Sequence, residues 1–413
     1  MHGDGRDESS RRRFARNALI LAAWTALPSR TLVAGDVSAT APVPEKTVTR
    51  GTSTDQSDVK PDETSDALPD VMDEALDMLA GTGPEFSGGL SNHGPMAAEA
   101  LLALGRPRNV KAWVERYRRN LREHPQARKP IDRDRWKEAL GDFGRVGDWI
   151  AFFDREIAEH PWPSVLNEWV PRLAPGFVAV ATHGVIRTGH AVRSLGRRDT
   201  TARRHELAEG LGYWGARFHR LPESAGAIAR GRLPSQAIGD VALLPPEKRP
   251  PRGATMDALR ALEGEGAFAP VIGLVDPVME TSRFISDLSG TFARVMLEQT
   301  RSGGSLIIFI HAVTGPSAVR LLAPHLSAEA TRVALRYAWQ AGAALYAALG
   351  RQAVPGAPDL ITEDRDGLID RAVATGDEHA IKLTEACLRE HAIDPRPDFL
   401  RAARHACDRL SSA

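Results

Sequence analysis

Thirteen histidines stand against two cysteines, Cys387 and Cys407, so a metal held by this chain would take imidazole and oxygen donors rather than a thiolate set. Four stretches place histidines in unusual settings. In Ser91-Asn92-His93-Gly94-Pro95-Met96, His93 sits where a loop feeds a helix whose first turn holds proline, a position that can point a ring back into a pocket or simply make a local hydrogen bond. In Thr182-His183-Gly184-Val185-Ile186-Arg187-Thr188-Gly189-His190, the residues His183, Arg187 and His190 fall at i, i+4 and i+7, one face of a helix. Two imidazoles seven residues apart lie about 10.5 Å apart along the axis, so a shared cation requires the rings to converge, and a satisfied core pair is the alternative. His311 ends an apolar run and again precedes Gly315-Pro316 and a new helix, Ser317 to Leu322. His379 and Lys382 form an i, i+3 pair on a helix, with Lys382 among Ile381, Leu383 and Ala386; Glu378 and Glu385 are spaced to pair with it on a solvated face.

Other chemistries lack their signatures. No phosphate-cradling G-x-x-x-x-G-K-[ST] occurs, no G-x-G-x-x-G follows a strand and opens a helix, and no G-x-S-x-G elbow is present. Lys plus Arg number 53 and Asp plus Glu 53, so the balance is zero and no global basic field would draw nucleic acid.

The elements that must position these residues read as helices. Apolar positions recur at three- and four-residue spacings over Leu68 to Ala80, Met96 to Leu104, Val110 to Glu123, Val146 to Glu159, Phe177 to Leu195 and Thr201 to Arg220. The pattern resumes over Thr281 to Thr300, Ala328 to Leu349, Leu368 to Thr375, Asp377 to His391 and Pro397 to Leu410. The short apolar run Ser305 to Ile310 fits a buried helix or a strand. The proline-rich stretch Leu221 to Gly253 reads as a surface excursion. The predicted architecture is all-α: one large multi-helix domain, 67–410, in which helices from both halves share a core.

Ahead of that domain, Ser10-Arg11-Arg12-Arg13-Phe14-Ala15-Arg16 precedes the apolar run Ala18 to Leu27, the order of an export signal and too short to span a bilayer. The paired arginines resemble a twin-arginine signal, with a cleavage site at Val37-Ser38-Ala39, so residues 1–39 are expected to direct export to the periplasm or beyond. Without that signal function the chain would be cytoplasmic. Residues 40–66 lack an apolar period and read as a disordered linker. No integral membrane domain is expected.

Five blocks together resemble the questin oxidase-like family, helical oxidoreductases of aromatic polyketide metabolism. They are SNHGPMAAEAL (91–101), ATHGVIRTGHAVRSL (181–195), ELAEGLGYWGARF (206–218), HAVTGPSAVRLL (311–322) and DEHAIKLTEAC (377–387). The resemblance implies a mononuclear non-haem Fe(II) with dioxygen as co-substrate, held by His93, His183, His190, His311 and Lys382. A lysine can serve there only as an uncharged amine or as its carbamate, an anionic oxygen donor. Arg187 would face a phenolate or an oxygen anion, and His379 would act as an acid or base. Tyr213 and Trp214 are candidate pocket walls. The implied reaction is oxygenation and opening of a ring of an anthraquinone-like or other polycyclic aromatic, the small-molecule partner. A Baeyer–Villiger-type oxygenation using NADPH is the alternative, and without a dinucleotide fingerprint it would need a separate reductase or an unfamiliar site. A metal-dependent hydrolase and a non-catalytic binding protein are the remaining alternatives.

Overall fold

The computed structural model describes residues 70–86, 89–224, 231–250, 255–278, 280–301, 305–353 and 363–411. The expected signal and linker, 1–39 and 40–66, lie outside the described residues. Fifteen α-helices and one two-stranded hairpin, joined by short 3-10 turns, make up the described chain, an all-α fold.

Helix α1 (Val71–Leu79) starts where the Asp70 carboxylate accepts the Met72 N–H at 2.8 Å. The strands β1 (Glu85–Phe86) and β2 (Leu90–Ser91) pair antiparallel and deliver the chain to α2 (Gly94–Ala103) and α3 (Pro107–Tyr117). Helices α4 (Val146–Glu159) and α5 (Trp162–Leu173) follow. The latter is not among the helices expected from the sequence, and it holds Pro163 and Pro171. Pro163 occupies the first turn, where no N–H is needed, and Pro171 lies in the last.

The centre of the fold comprises α6 (Ala179–Arg197), α7 (Thr201–Ala216), α10 (Thr281–Arg301), α11 (Leu306–Leu322) and α12 (Ala328–Leu349). Ser305 to Ile310 belongs to a buried helix rather than a strand, and Ser317 to Leu322 is no new helix: one helix, α11, runs through Gly315-Pro316. It is long and apolar enough to cross a membrane by composition, but α6, α10, α12 and α14 (Glu378–Ile393) surround it, and it is buried on all sides. The contact of α6 with α11 joins the two halves in one core. Helices α13 (Arg365–Thr375) and α15 (Pro397–Ser411) cover α14, which also packs on α2.

The proline-rich excursion is less superficial than expected. Its α8 (Pro234–Ala237) leads into Ile238 and Val241, which belong to the main core, and into the buried Leu244, whose N–H donates to the Ala347 carbonyl at 2.7 Å. Apolar residues set between prolines anchor the segment to α12, and α9 (Thr255–Ala261) then packs on the same helix.

Candidate metal centre

His93 precedes α2 as its cap residue. The Asn92 side chain orients this entry, donating to the Gly83 carbonyl at 3.0 Å and accepting the Gly94 N–H at 2.9 Å. The His93 N–H donates to the Tyr117 hydroxyl at 2.8 Å, so the phenol of α3 fixes the backbone.

His183 follows a backbone segment that few sequences adopt. Val180, Ala181 and Thr182 have φ of 49°, 51° and 70°, three successive non-glycine residues in the left-handed region, each costing roughly 1–2 kcal/mol. All three are fully buried, and the surroundings hold them. The Thr182 hydroxyl donates to the His311 carbonyl at 3.2 Å, and the His183 Nδ1–H donates to the Val180 carbonyl. A carbonyl only accepts, so Nδ1 carries the proton and the neutral ring presents its Nε2 lone pair. Gly315 makes this turn feasible, since a Cβ there would lie 2.6 Å from Thr182 Oγ1.

The Nε2 atoms of His93 and His183 face each other at 2.7 Å. Two nitrogens that share a cation at about 2.1 Å each lie no more than about 4.2 Å apart, so this spacing suits a common ion. The His311 ring is centred 4.3 Å from that of His183, and the His379 ring 4.6 Å from that of His93. One nitrogen each of His93, His311 and His379 lies within 4.8 Å of the others, an arrangement able to hold a metal ion. His379 is set by the cap of α14, where the Asp377 carboxylate accepts its backbone N–H at 2.8 Å and faces its Nδ1 at 3.2 Å.

All of these groups are buried, and several of their nitrogens have no hydrogen-bond partner: His93 Nδ1, both ring nitrogens of His311, His379 Nε2 and Lys382 Nζ. Unmet buried donors and acceptors cost about 1–3 kcal/mol each, and a shared cation, taking one nitrogen from each ring, would satisfy part of this set. Burial, then the charge of Lys382, holds His93 and His183 well below the usual imidazole value; burial, then the neighbouring histidines, does so for His311. Burial also lowers Lys382 to about 8, against the opposing pull of Glu378 and Asp377. The residues therefore fit a divalent ion held by neutral nitrogen donors.

Not every expected residue joins them. His190 stands apart from the ring contacts among the described histidines, and its Nδ1 lies 2.7 Å from Glu99 Oε2. Arg193, one turn on, also binds Glu99 and reaches Glu385, so Glu99, His190, Arg193 and Glu385 form a buried polar bridge between α2, α6 and α14. The structure brings His379 to the cluster instead. Arg187 does not face it as a free cation, because its guanidinium makes two 2.7 Å bonds to Glu206 and lies 3.2 Å from Glu209. Burial works against its charge and those carboxylates more than offset it, holding its pKa above the usual value. The two candidate wall aromatics are each held by a buried hydrogen bond. Tyr213 donates to Glu85 at 2.8 Å, while Trp214 donates to the Gly176 carbonyl at 3.1 Å and packs on the backbone of Gly184. Glu99 escaped notice although its sequence, a single carboxylate in GPMAAEALLA, signals a buried acid needing a partner.

Fold and site together define an all-helical protein with a buried, histidine-rich centre able to hold a metal. Residues 90–198, which include the elements bearing His93 and His183, match the model of the questin oxidase-like family, the family the sequence resembles. That family name points to an oxidoreductase. No curated protein matches the chain.

Proposed function

We propose that this chain is an oxygen-dependent oxygenase of the questin oxidase-like kind, using one non-haem iron to oxygenate or open a ring of an anthraquinone-like or other polycyclic aromatic substrate. The observation that carries the reading is the convergence of His93, His183, His311 and His379, with the buried Lys382 acting electrostatically on three of them and five unpartnered nitrogens in the group. Ferrous iron held there would supply the dioxygen activation that a singlet aromatic cannot achieve alone. His93, His183, His311 and His379 would hold it as neutral donors, and Lys382 would complete the set as the amine or, after reaction with carbon dioxide and loss of a proton, as the carbamate.

The chain's own groups prepare the site in three ways. The hydrogen bonds from His183 to Val180 and between His379 and Asp377 fix which ring nitrogen faces inward. Glu378, whose Oε1 lies 3.6 Å from His379 Nδ1, is pushed up in pKa by burial and by Asp377, and is suited to hold or move a proton at the margin of the site. Met96, Ile186 and Ala318 form a small apolar cluster, one from each helix associated with His93, His183 and His311, and would give a hydrocarbon ring an apolar neighbour.

Metal analysis tests the reading. The purified protein is expected to contain about one iron per chain, lost in both His183→Ala and Lys382→Ala. Iron content should rise with pH through about 8, as Lys382 becomes neutral, and fall when bicarbonate is stripped from the buffer. Absence of iron, or full retention in both variants, overturns it, as does a failure of the iron-loaded protein to consume dioxygen with any anthraquinone supplied.

A further inference from the structure

A second group of metal-ligating side chains lies at the outer side of α7. His205 and Glu209, at i and i+4, share a face of that helix. His124 meets them from the segment after α3, its backbone held by an N–H bond to the Gly81 carbonyl at 2.7 Å. His124 Nε2 is 2.6 Å and His205 Nε2 3.7 Å from Glu209 Oε1, and the three donor atoms lie within 4.8 Å of one another. From these contacts we propose that His124, His205 and Glu209 bind a divalent cation of the zinc class, distinct from the buried centre and staples the segment at His124 to α7.

Three further features favour that occupant. Asp154 accepts from His205 Nδ1 at 2.9 Å, which puts a proton on that nitrogen and leaves Nε2, on the side of Glu209, as the atom a cation would take in exchange for a proton; a carboxylate behind a histidine is the usual support of a metal-bound imidazole. Glu209 Oε2 is buried without a hydrogen-bond partner and has only the ionic contact with Arg187 at 3.2 Å, so the carboxylate keeps capacity for an ion. The side chains of His205 and His124 are 48% and 20% exposed, so an ion can enter from water and keep water as its remaining ligand. Two histidines, one glutamate and water are a donor set typical of zinc, whereas magnesium and calcium prefer oxygen alone. Around this group, Asp154, Glu206 and Glu209 outnumber the single guanidinium of Arg187, so the local balance attracts a cation.

The test titrates the full-length protein, as purified with whatever metal it holds, with Zn²⁺ by calorimetry and with Co²⁺ by visible absorption. One additional equivalent is expected, with the d–d bands of a nitrogen–oxygen site, together with a rise in Tm. His205→Gln and His124→Gln should each weaken this binding at least tenfold and abolish the Tm rise, while His183→Ala should leave it intact. No additional equivalent, or one that survives in both glutamine variants, overturns the proposal. Should His124→Gln fail to fold, the half-exposed His205 decides alone. An equivalent taken up by an empty buried centre would instead be lost in His183→Ala and kept in both glutamine variants, so titrating the glutamine changes in the His183→Ala background separates failure of this site from failure of the buried one.

Discussion

The hydroxyl of Thr182 donates to the main-chain carbonyl of His311 at 3.2 Å, so the left-handed turn ahead of one histidine is fastened to the helix that carries another. The close approach of the two backbones depends on Gly315, whose missing side chain leaves room for Thr182. Gly315→Ala should therefore force the turn apart, destabilising the fold by about 1–3 kcal/mol and weakening metal binding. Denaturant titration and metal content check this; Thr182→Ser, which keeps the hydroxyl, should retain the metal.

His190 and His379 should exchange the roles that the family resemblance implies for them. His379→Ala removes a ring from the cluster and is expected to lower metal affinity at least tenfold. His190→Gln should keep the metal and mainly weaken the bridge to Glu99. Equilibrium competition with a chromogenic chelator measures both, and equal losses would place His190 at the ion.

Acid should destabilise the metal-free protein. His93, His183 and His311 are held well below the usual imidazole value by burial, and His219 is lowered to about 4 by burial and then by Arg260. Between the folded and unfolded values the unfolded chain binds more protons, so stability is greatest above about pH 6.5 and falls as the pH drops below it. Urea titrations of chelator-treated protein at pH 7.5 and 5.5 should show that loss, and His219→Gln should reduce it.

Export is a separate proposal, resting on residues 1–39 alone. Replacing Arg11 and Arg12 with lysine should hold the precursor in the cytoplasm, as read by fractionation and immunoblotting; an unchanged distribution would remove the twin-arginine reading.

Helical character was legible because core-facing residues repeat so regularly. Val146–Glu159 and Ala328–Leu349 have the ends their periodicity predicts. Where the reading failed, local punctuation competed with packing. Prolines concealed Trp162–Leu173, and Gly315-Pro316 looked like a boundary although the surrounding helices carry Leu306–Leu322 straight through it. The candidate centre was legible in residue type more than in membership. His183 and His190 share a helical face, yet a buried Glu99 draws one ring away, and no spacing rule foretells that partner. The turn at Val180–Thr182 was equally hidden, because valine, alanine and threonine carry no local preference for a left-handed backbone.

The four clustered histidines are scattered from position 93 to position 379, on or beside helices that meet only across the finished interior. High-affinity metal uptake by this cluster would therefore come late in folding, after the contacts that demand the longest chain closures have formed. A newly made polypeptide would offer only isolated imidazoles to a passing ion, so bound metal would serve as a certificate that the whole interior has assembled.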